Sequence, residues 1–251
     1  MPIVTLLTDF GTADGYVAEM KGVLLSAAPG VQLVDASHDV PPHDVEYGRL
    51  TLARYWRRFP AGTVHLVVVD PGVGSARRAI AVASNERFLV GPDNGVLSPA
   101  LLMPGARAVV LEVPAGASAT FHGRDLFAPA AARLSAGASL DSLGLPCDDC
   151  EVRRTAEARR LADGAVQGEV IAVDRFGNLI TNLVTTRSGE IEVGGFRLPI
   201  RRTYADVAPG ALVALPGSSG LLEVAMREGS AADRLGVSRG TVVVFRGTVG
   251  G

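Results

Sequence analysis

The chain carries almost no net charge, few aromatic residues, only two cysteines and no long apolar run. Its formal charge of −2 creates no field that attracts polyanions, so nucleic acid is not expected as the main partner. No apolar run approaches the roughly 20 residues that span a bilayer, so no membrane partner is expected either. With 47% hydrophobic, 20% charged and 5% aromatic residues, the composition is that of an ordinary soluble globular protein.

The two cysteines are Cys147 and Cys150, spaced as Cys-Asp-Asp-Cys. A redox pair needs positive surroundings that lower the pKa of a thiol, and two aspartates act in the opposite direction. A zinc site would need two further ligands with suitable spacing, and none is near in the sequence. We therefore predict a loop pair with no catalytic role and no metal.

The amino terminus begins with the short apolar run Pro2-Ile3-Val4-Thr5-Leu6-Leu7. This run is too short for the hydrophobic region of a signal peptide, and no basic segment precedes it. It is typical of a first strand instead, and a cytoplasmic location is expected.

Residues 1–150 alternate between apolar strands and stretches of helical period. A helix is predicted from Asp14, because apolar residues then recur at spacings of three and four. This alternation predicts an α/β domain in which helices cover a parallel sheet. Residues 151–164 are polar and are predicted to be a linker. In 165–251 the helical period disappears, and short strands separated by turn residues, among them Gly189 to Ile200, predict a small all-β barrel or sandwich.

The run Val67-Val68-Val69 is followed directly by Asp70-Pro71-Gly72. The β-branched run is typical of a strand buried on both faces, and proline and glycine then end it. Asp70 would therefore lie at the carboxyl end of a central strand, where open α/β sheets bind ligands. We expect Asp70, Arg77 and His122 to form one site that positions a water and takes its proton. Taken singly, each has a structural alternative: a turn residue, a surface charge and a capped core histidine.

Other polar residues also follow predicted strands. Asp9 could accept hydrogen bonds from two ribose hydroxyls or could cap the next helix, and the segment alone does not decide. In the second domain, Asn178 could satisfy a donor and an acceptor on a purine, and Asp174 could pair with an ammonium group. The turn Gly217-Ser218-Ser219-Gly220 offers hydroxyls and backbone N–H groups to a carboxylate. The alternative for both second-domain segments is a simple turn.

Five motifs occur here in the order of one family. The chain resembles the S-adenosylmethionine hydroxide adenosyltransferases, hydrolase relatives of the fluorinases and chlorinases, over nearly its whole length. The motifs are Thr8-Asp9-Phe10-Gly11, Asp70-Pro71-Gly72-Val73-Gly74, His122-Gly123-Arg124-Asp125, Asp174-Arg175-Phe176-Gly177-Asn178 and Gly217-Ser218-Ser219-Gly220.

The resemblance implies an α/β domain, a β-barrel domain and a homotrimer whose sites lie between subunits. It implies hydrolysis of S-adenosyl-L-methionine to adenosine and L-methionine by in-line attack of water on the ribose 5′ carbon. No cofactor or metal is implied, because the sulfonium is already an excellent leaving group. By this resemblance Asp70, Arg77 and His122 are catalytic. The implied substrate-binding residues are Asp9 for the ribose, Asn178 and Tyr204 for the adenine, Asp174, Ser218 and Ser219 for the methionine end, and Phe176, to which no part of the substrate is assigned.

The halide-using relatives align an aromatic residue with Asp70, so the sequence favours water over halide: a carboxylate repels an anion and accepts a bond from water. Ser219 replaces an arginine of the fluorinase, and His43 aligns with a tryptophan of the halogenases. Three other functions stay open. One is a non-catalytic module that binds S-adenosylmethionine or adenosine, and another is a halide-using adenosyltransferase. The third is a metal-dependent hydrolase that uses Asp9, Asp70, His122 and Asp125, although no metal-binding spacing supports it.

Overall fold

The chain divides into two compact units, Met1–Arg154 (unit 1) and Thr155–Gly251 (unit 2). The structure, a computed structural model, describes residues 1–184 and 188–247. The predicted second domain, 165–251, includes 185–187 and 248–251, which lie outside the described residues. Among the described residues, no helix combines the length and the apolar character needed to span a bilayer.

Unit 1 is built on one mixed sheet with helices on both faces. Its strands are β1 (Ile3–Thr8), β2 (Gln32–Ser37), β3 (Val64–Val68), β4 (Ala79–Ser84), β5 (Arg87–Pro92), β6 (Arg107–Leu111) and β7 (Gly144–Pro146). Its helices are α1 (Tyr16–Ala27), α2 (Val45–Tyr55), α3 (Ser98–Leu101) and α4 (Ala128–Ser135), with 3₁₀ turns at Trp56–Arg58 and Leu140–Ser142 and a π-helical turn at Gly123–Phe127.

The sheet order is β2-β1-β3-β5-β4-β6-β7, and the α/β class is confirmed. Strands β2, β1, β3 and β5 are parallel, as the alternation of strands and helices predicts. In the other half, β4 is antiparallel to β5 and β6, and β7 is antiparallel to β6. The reversal begins where only Asn85 and Glu86, both with positive φ, connect β4 to β5. A parallel crossover needs a dozen or more residues, and a two-residue link permits only a hairpin.

The central strand β3 is buried on both faces, as the apolar run predicts. Leu66 and Val68 pack into a core with Met20 and Phe127, whereas side chains that alternate with them pack into a second core around Trp56. Successive strand residues point to opposite faces, so this alternation places one hydrophobic layer on each side of the sheet.

Unit 2 is an antiparallel sheet that nearly closes on itself. Its strands are β8 (Arg159–Arg160), β9 (Val166–Val173), β10 (Leu179–Thr181), β11 (Gly189–Val193), β12 (Phe196–Pro199), β13 (Leu212–Pro216), β14 (Leu222–Met226) and β15 (Val242–Gly247), with helix α5 (Ala231–Leu235) and a 3₁₀ turn at Tyr204–Asp206. The order is β12-β11-β15-β9-β10-β14-β13, and β8 pairs with β9. Arg201 donates its backbone N–H to the Ala214 carbonyl at 2.8 Å, so the two end strands approach each other and the predicted barrel-like fold is confirmed.

Two details of unit 2 differ from the sequence expectation. The single strand expected over Gly189 to Ile200 is the hairpin β11–β12, because Gly194 and Gly195 both adopt positive φ and reverse the chain. The range 151–164, predicted to be a linker, contains β8, whose two arginines pair with Gln167 and Val166 of β9.

Candidate active site

Asp9 and Asp70 follow two neighbouring parallel strands at the same edge of the sheet. Thr8 at the end of β1 is in register with Val68 at the end of β3. Strand β2 lies on one side of β1 and β3 on the other, so the strand order reverses here. Ligands of open α/β sheets bind outside the carboxyl ends of strands at such a reversal.

The turn after β3 fixes the backbone that carries Asp70. The Asp70 carbonyl accepts the N–H of Val73 at 3.3 Å, and the Gly72 carbonyl accepts the N–H of Ser75 at 3.1 Å. Gly74 has φ 77°, and a Cβ there would lie 2.5 Å from the carbonyl oxygen of Ala119. Only glycine fits this position. The turn can therefore pack against the segment that leads to His122.

The structure brings Asp70, Arg77 and His122 together. Arg77 Nη2 lies 2.5 Å from Asp70 Oδ2 and 3.2 Å from His122 Nδ1, so one guanidinium nitrogen joins the other two groups. Arg77 Nη1 donates to the carbonyl of Arg78, and its guanidinium carbon lies 5.4 Å from the centre of the Phe127 ring. The side chains of Arg77 and Asp70 are 8% and 5% exposed. The cluster is held by several contacts and is almost inaccessible to solvent.

Burial decides the electrostatics of this cluster. Removal from water raises the pKa of Asp70 above its ordinary value, although the charge and the hydrogen bond of Arg77 act to lower it. The raised pKa makes the carboxylate a stronger base. Because a guanidinium can only donate, His122 Nδ1 must accept, and a neutral His122 then carries its proton on Nε2. Asp70 Oδ1 is buried and has no hydrogen-bond partner among the described residues, so it can accept a proton or a hydrogen bond.

Asp9 does not cap the helix that follows it. Helix α1 starts after Gly15, which makes no side-chain capping bond, and the capping alternative is wrong. Asp9 Oδ2 instead accepts the backbone N–H of His43 at 2.8 Å. His43 has φ 67°, which helps to turn the loop after β2 towards the carboxylate.

A second histidine, His38, supports the Asp9 loop and was not a candidate from the sequence. Its Nδ1 lies 2.8 Å from Thr8 Oγ1 and its Nε2 lies 3.0 Å from Asp35 Oδ1, while its carbonyl accepts the N–H of Gly11 at 2.9 Å. Thr8 Oγ1 also accepts the N–H of Phe10 at 3.2 Å. His38 is 6% exposed, so these bonds form in a nearly dry setting. The sequence signal that could have identified His38 was the polar segment after β2. The carboxyl end of β2 lies at the same edge of the sheet as that of β1.

The other residues of the His122 motif serve the structure. Asp125 pairs with Arg124 at 2.6 Å and accepts the N–H of Ser118, and these contacts lower the pKa of Asp125 to about 2. The alternative of a metal-dependent hydrolase needs Asp125 together with Asp9, Asp70 and His122. No three of these four, all of which the structure describes, come close enough to hold one ion.

In unit 2 the Asp174 motif forms the hairpin turn between β9 and β10. Asp174 Oδ1 accepts the backbone N–H groups of Phe176 and Asn178, and its Oδ2 accepts the side-chain amide of Asn178, each at 2.9 Å. Gly177 has φ 79°, and a Cβ there would collide with Ser230. The turn thereby presents Phe176 to solvent, with 75% of the residue exposed, and keeps Asn178 7% exposed.

Three residues predicted to bind the substrate line one cavity of about 580 Å³ in unit 2. Phe176, Asn178 and Tyr204 are joined there by Met226, Glu228 and Gly229. The cavity has the volume of a small-molecule site, which ranges from about 300 to 1,000 Å³. Two aromatic rings, a thioether and an amide are a suitable lining for a flat heteroaromatic base.

Ser218 and Ser219 are exposed in the turn between β13 and β14 and are not among the residues that line the cavity. That turn packs against Glu223, because a Cβ on Gly217 would collide with the Glu223 carboxylate. Glu223 is 5% exposed. The pKa of Tyr204 is raised by the partial burial of Tyr204 and by the charge and hydrogen bond of Glu223. Glu223 was missed from the sequence, although a lone carboxylate inside an apolar strand was a signal.

Comparison with known families identifies both units. The model of the S-adenosylmethionine (SAM) hydroxide adenosyltransferase N-terminal domain matches residues 4–144, and that of the C-terminal domain matches residues 168–244. This chain belongs to the SAM hydroxide adenosyltransferase family. The resemblance inferred from the five motifs is confirmed.

Individual relatives are similar to this chain over most of its length. The (R)-S-adenosyl-L-methionine hydrolase of Thermus thermophilus is 45% identical over 96% of this chain and 98% of its own. A fluorinase of Actinoplanes is 30% identical over 82% of this chain and 84% of its own. A crystal structure of a conserved hypothetical protein, also from Thermus thermophilus, superposes with a TM-score of 0.84, at 43% identity over 98% of this chain and all of that one.

Proposed function

We propose that this protein hydrolyses S-adenosyl-L-methionine to adenosine and L-methionine. Water attacks the ribose 5′ carbon in line with the sulfonium sulfur. The new carbon–oxygen bond forms as the carbon–sulfur bond breaks. The electron pair of the carbon–sulfur bond stays on the sulfur, which becomes the neutral thioether of methionine. The water gives up one proton, and the 5′ hydroxyl of adenosine keeps the other. The contact of Asp70 with Arg77, which also holds His122, is the observation that carries this proposal.

Asp70 orients the attacking water and accepts its proton through the buried oxygen that has no partner among the described residues. Arg77 keeps the carboxylate and His122 in fixed positions, and a His122 Nε2–H can donate to the same water. The sulfonium needs no acid to leave, so the enzyme mainly aligns nucleophile and carbon. Such alignment can supply about 7–11 kcal/mol of barrier reduction.

The carboxylate also favours water over halide. An anion placed about 4 Å from Asp70 would be repelled by about 4 kcal/mol at an effective dielectric constant of about 20. Water is neutral and donates a hydrogen bond to the same oxygen. Hydrolysis is therefore favoured over halide transfer, although fluorinases are relatives at 30% identity.

The substrate-binding roles belong to both units. Asp9 holds the ribose hydroxyls, Phe176 and Tyr204 pack on adenine, and Asn178 reads its edge with the amide oxygen that its bond to Asp174 leaves available. Asp174 attracts the methionine ammonium. Ser218 and Ser219 bind the methionine carboxylate.

We propose that the protein is a homotrimer in which unit 1 of one subunit and unit 2 of its neighbour complete each site. A cytoplasmic location stays a prediction from the sequence. The name of the Thermus thermophilus relative further supports a preference for the R configuration at sulfur.

A product assay in ¹⁸O-labelled water with excess chloride and fluoride tests the reaction. We expect adenosine that carries one ¹⁸O atom at its 5′ oxygen, together with methionine, and no 5′-halogenated nucleoside. A halogenated product would identify a halide-using enzyme instead. Tight binding of adenosine without any turnover would identify a binding module. Comparison of the R and S substrate epimers tests the stereochemical preference separately.

A further inference from the structure

The fold brings both cysteines of the chain to a carboxylate from a distant turn. Cys147 and Cys150 follow β7, whereas Asp93 follows β5. The ligand atoms of these three residues all lie within 4.8 Å of one another, and the two sulfur atoms are 2.9 Å apart. Asp93 and Cys147 are each 7% exposed, so the cluster is not a chance grouping of surface groups.

Rigid elements and hydrogen bonds orient the three side chains. The backbone N–H of Cys147 donates to the Ala108 carbonyl of β6 at 2.9 Å. Asp93 Oδ1 accepts the N–H of Glu151 at 2.7 Å, and its Oδ2 accepts Arg78 Nε at 2.8 Å. Metal-ligating carboxylates are oriented by outer hydrogen bonds of this kind, which leave lone pairs on each oxygen.

The donor set determines which ligand would bind. Two thiolates and a carboxylate would carry three negative charges, and Arg78 contributes one positive charge that it shares between Asp93 and Asp149. Thiolates select zinc and similar thiophilic ions over magnesium or calcium. Around a tetrahedral Zn²⁺ the ligand atoms lie about 3.3–3.8 Å apart, which small side-chain rotations reach from the present separations.

We propose that Asp93, Cys147 and Cys150 form a binding site for a thiophilic metal ion of the Zn²⁺ class. Its fourth position is open to water or to Asp149, whose Oδ1 lies 3.6 Å from Cys147 Sγ. The bound ion ties the segment after β7 to the turn after β5. It takes no part in hydrolysis, because Arg78 faces this cluster while Arg77 faces Asp70.

The test is Zn²⁺ binding by the full chain, freed of metal by a chelator and kept reduced. We expect two titratable thiols, one Zn²⁺ per chain and, with Co²⁺ as a probe, a cobalt–thiolate charge-transfer band. The melting temperature should rise with Zn²⁺ concentration. Cys150→Ser should abolish the band, and Asp93→Asn should weaken Zn²⁺ binding by at least about tenfold. Asp148→Asn removes the same charge from an exposed residue between the two cysteines, and this variant should bind Zn²⁺ like the wild type.

Three outcomes would overturn the site. They are the absence of Zn²⁺ uptake by the fully reduced wild type, wild-type uptake by Cys150→Ser, and equal affinity in Asp93→Asn and Asp148→Asn. The last result would contradict the three-ligand assignment in particular. Cys150 is only partly buried, so its serine variant is expected to fold, and its circular dichroism spectrum checks this without reference to activity.

Discussion

The two units contribute side chains of opposite character to the proposed reaction. In unit 1, Asp70 and Arg77 are almost completely buried and bind each other and His122. In unit 2, Phe176 is 75% exposed and Tyr204 39% exposed, around an open cavity. One region fixes its charges before any ligand arrives, and the other displays apolar faces that a ligand would cover.

This difference follows from the two tasks. A buried ion pair costs so much desolvation that it adds little to stability, so its value lies in fixed position. Fixed charges also need no reorganisation during the reaction. Stacking on an aromatic face depends instead on surface that water leaves when the base binds. We therefore expect substitutions in the Asp70–Arg77–His122 cluster of unit 1 to lower kcat and substitutions at the cavity of unit 2 to raise KM.

Loss of the Asp70 charge should have the largest effect. Asp70→Asn keeps the shape of the side chain but removes the base, and we expect kcat to fall by about 10²–10⁴-fold with little change in KM. Single-turnover and steady-state assays of adenosine formation measure this change. Asp141→Asn, which breaks the exposed ion pair with Arg107 in the same unit, is the matched control and should leave kcat unchanged. Equal activity of Asp70→Asn and the wild type would exclude Asp70 as the base.

The pH dependence of kcat/KM is a second test of Asp70 as the base. Activity needs the ionised carboxylate, so kcat/KM should fall as the pH falls through the pKa of Asp70. Since burial raises that pKa, the acid limb should lie above the ordinary value of 3.8. A pH profile of kcat/KM tests this, and an acid limb at or below 3.8 would contradict the burial argument.

Arg77→Lys should have the next largest effect. Lysine keeps the charge but lacks the planar fork, so it cannot hold Asp70 and His122 as the guanidinium does. A misplacement of about 1 Å can cost about 100-fold, and we expect a loss of that order in kcat. Arg107→Lys, at the exposed pair with Asp141, is the control. Wild-type kcat in Arg77→Lys would show that charge alone is sufficient.

Much of unit 1 could be predicted because its signals are local. The buried run before Asp70 and the turn residues after it identify the carboxyl end of β3 without any long-range information. The support from His38 could not be predicted, because the bonds of its ring depend on how β1 and β2 pair. The convergence of Asp93 with Cys147 also depends on sheet order, which the spacing of cysteines does not encode.

The sequence says less about unit 2. The turn alternative for the Asp174 motif is correct as local structure, since its carboxylate forms the hairpin. That result does not decide the role of Asn178 towards a ligand, because one side chain can serve both. Tyr204 and Phe176 line one cavity because the strands of unit 2 fold into a barrel-like sheet. No local sequence pattern could place these two residues together.

Removal of an aromatic ring in unit 2 should have a smaller effect than the Asp70 and Arg77 substitutions. It should act on KM rather than on kcat. Tyr204→Ala loses packing on the adenine, and stacking is worth about 1–3 kcal/mol per base, so we expect KM to rise about 5–150-fold while kcat stays near wild type. Isothermal titration with adenosine gives an independent measure. Phe196→Ala, an exposed aromatic residue of β12, is the control. A fall in kcat without a change in KM would break the proposed division between the units.

The smallest effect is expected for His38, which would act on the substrate only through the Asp9 loop. His38→Gln can replace one of its two side-chain hydrogen bonds, to Thr8 or to Asp35, but not both. The loss of one bond is worth about 0.5–1.5 kcal/mol, so we expect KM to rise about 2–10-fold with kcat nearly unchanged. Because the Asp9 carboxylate would bind ribose hydroxyls, 2′-deoxyadenosine should be affected less than adenosine in a binding titration. An equal loss of affinity for both nucleosides would mean that His38 merely stabilises the fold. A general loss of stability weakens the binding of both nucleosides alike, whether or not the 2′ hydroxyl is present.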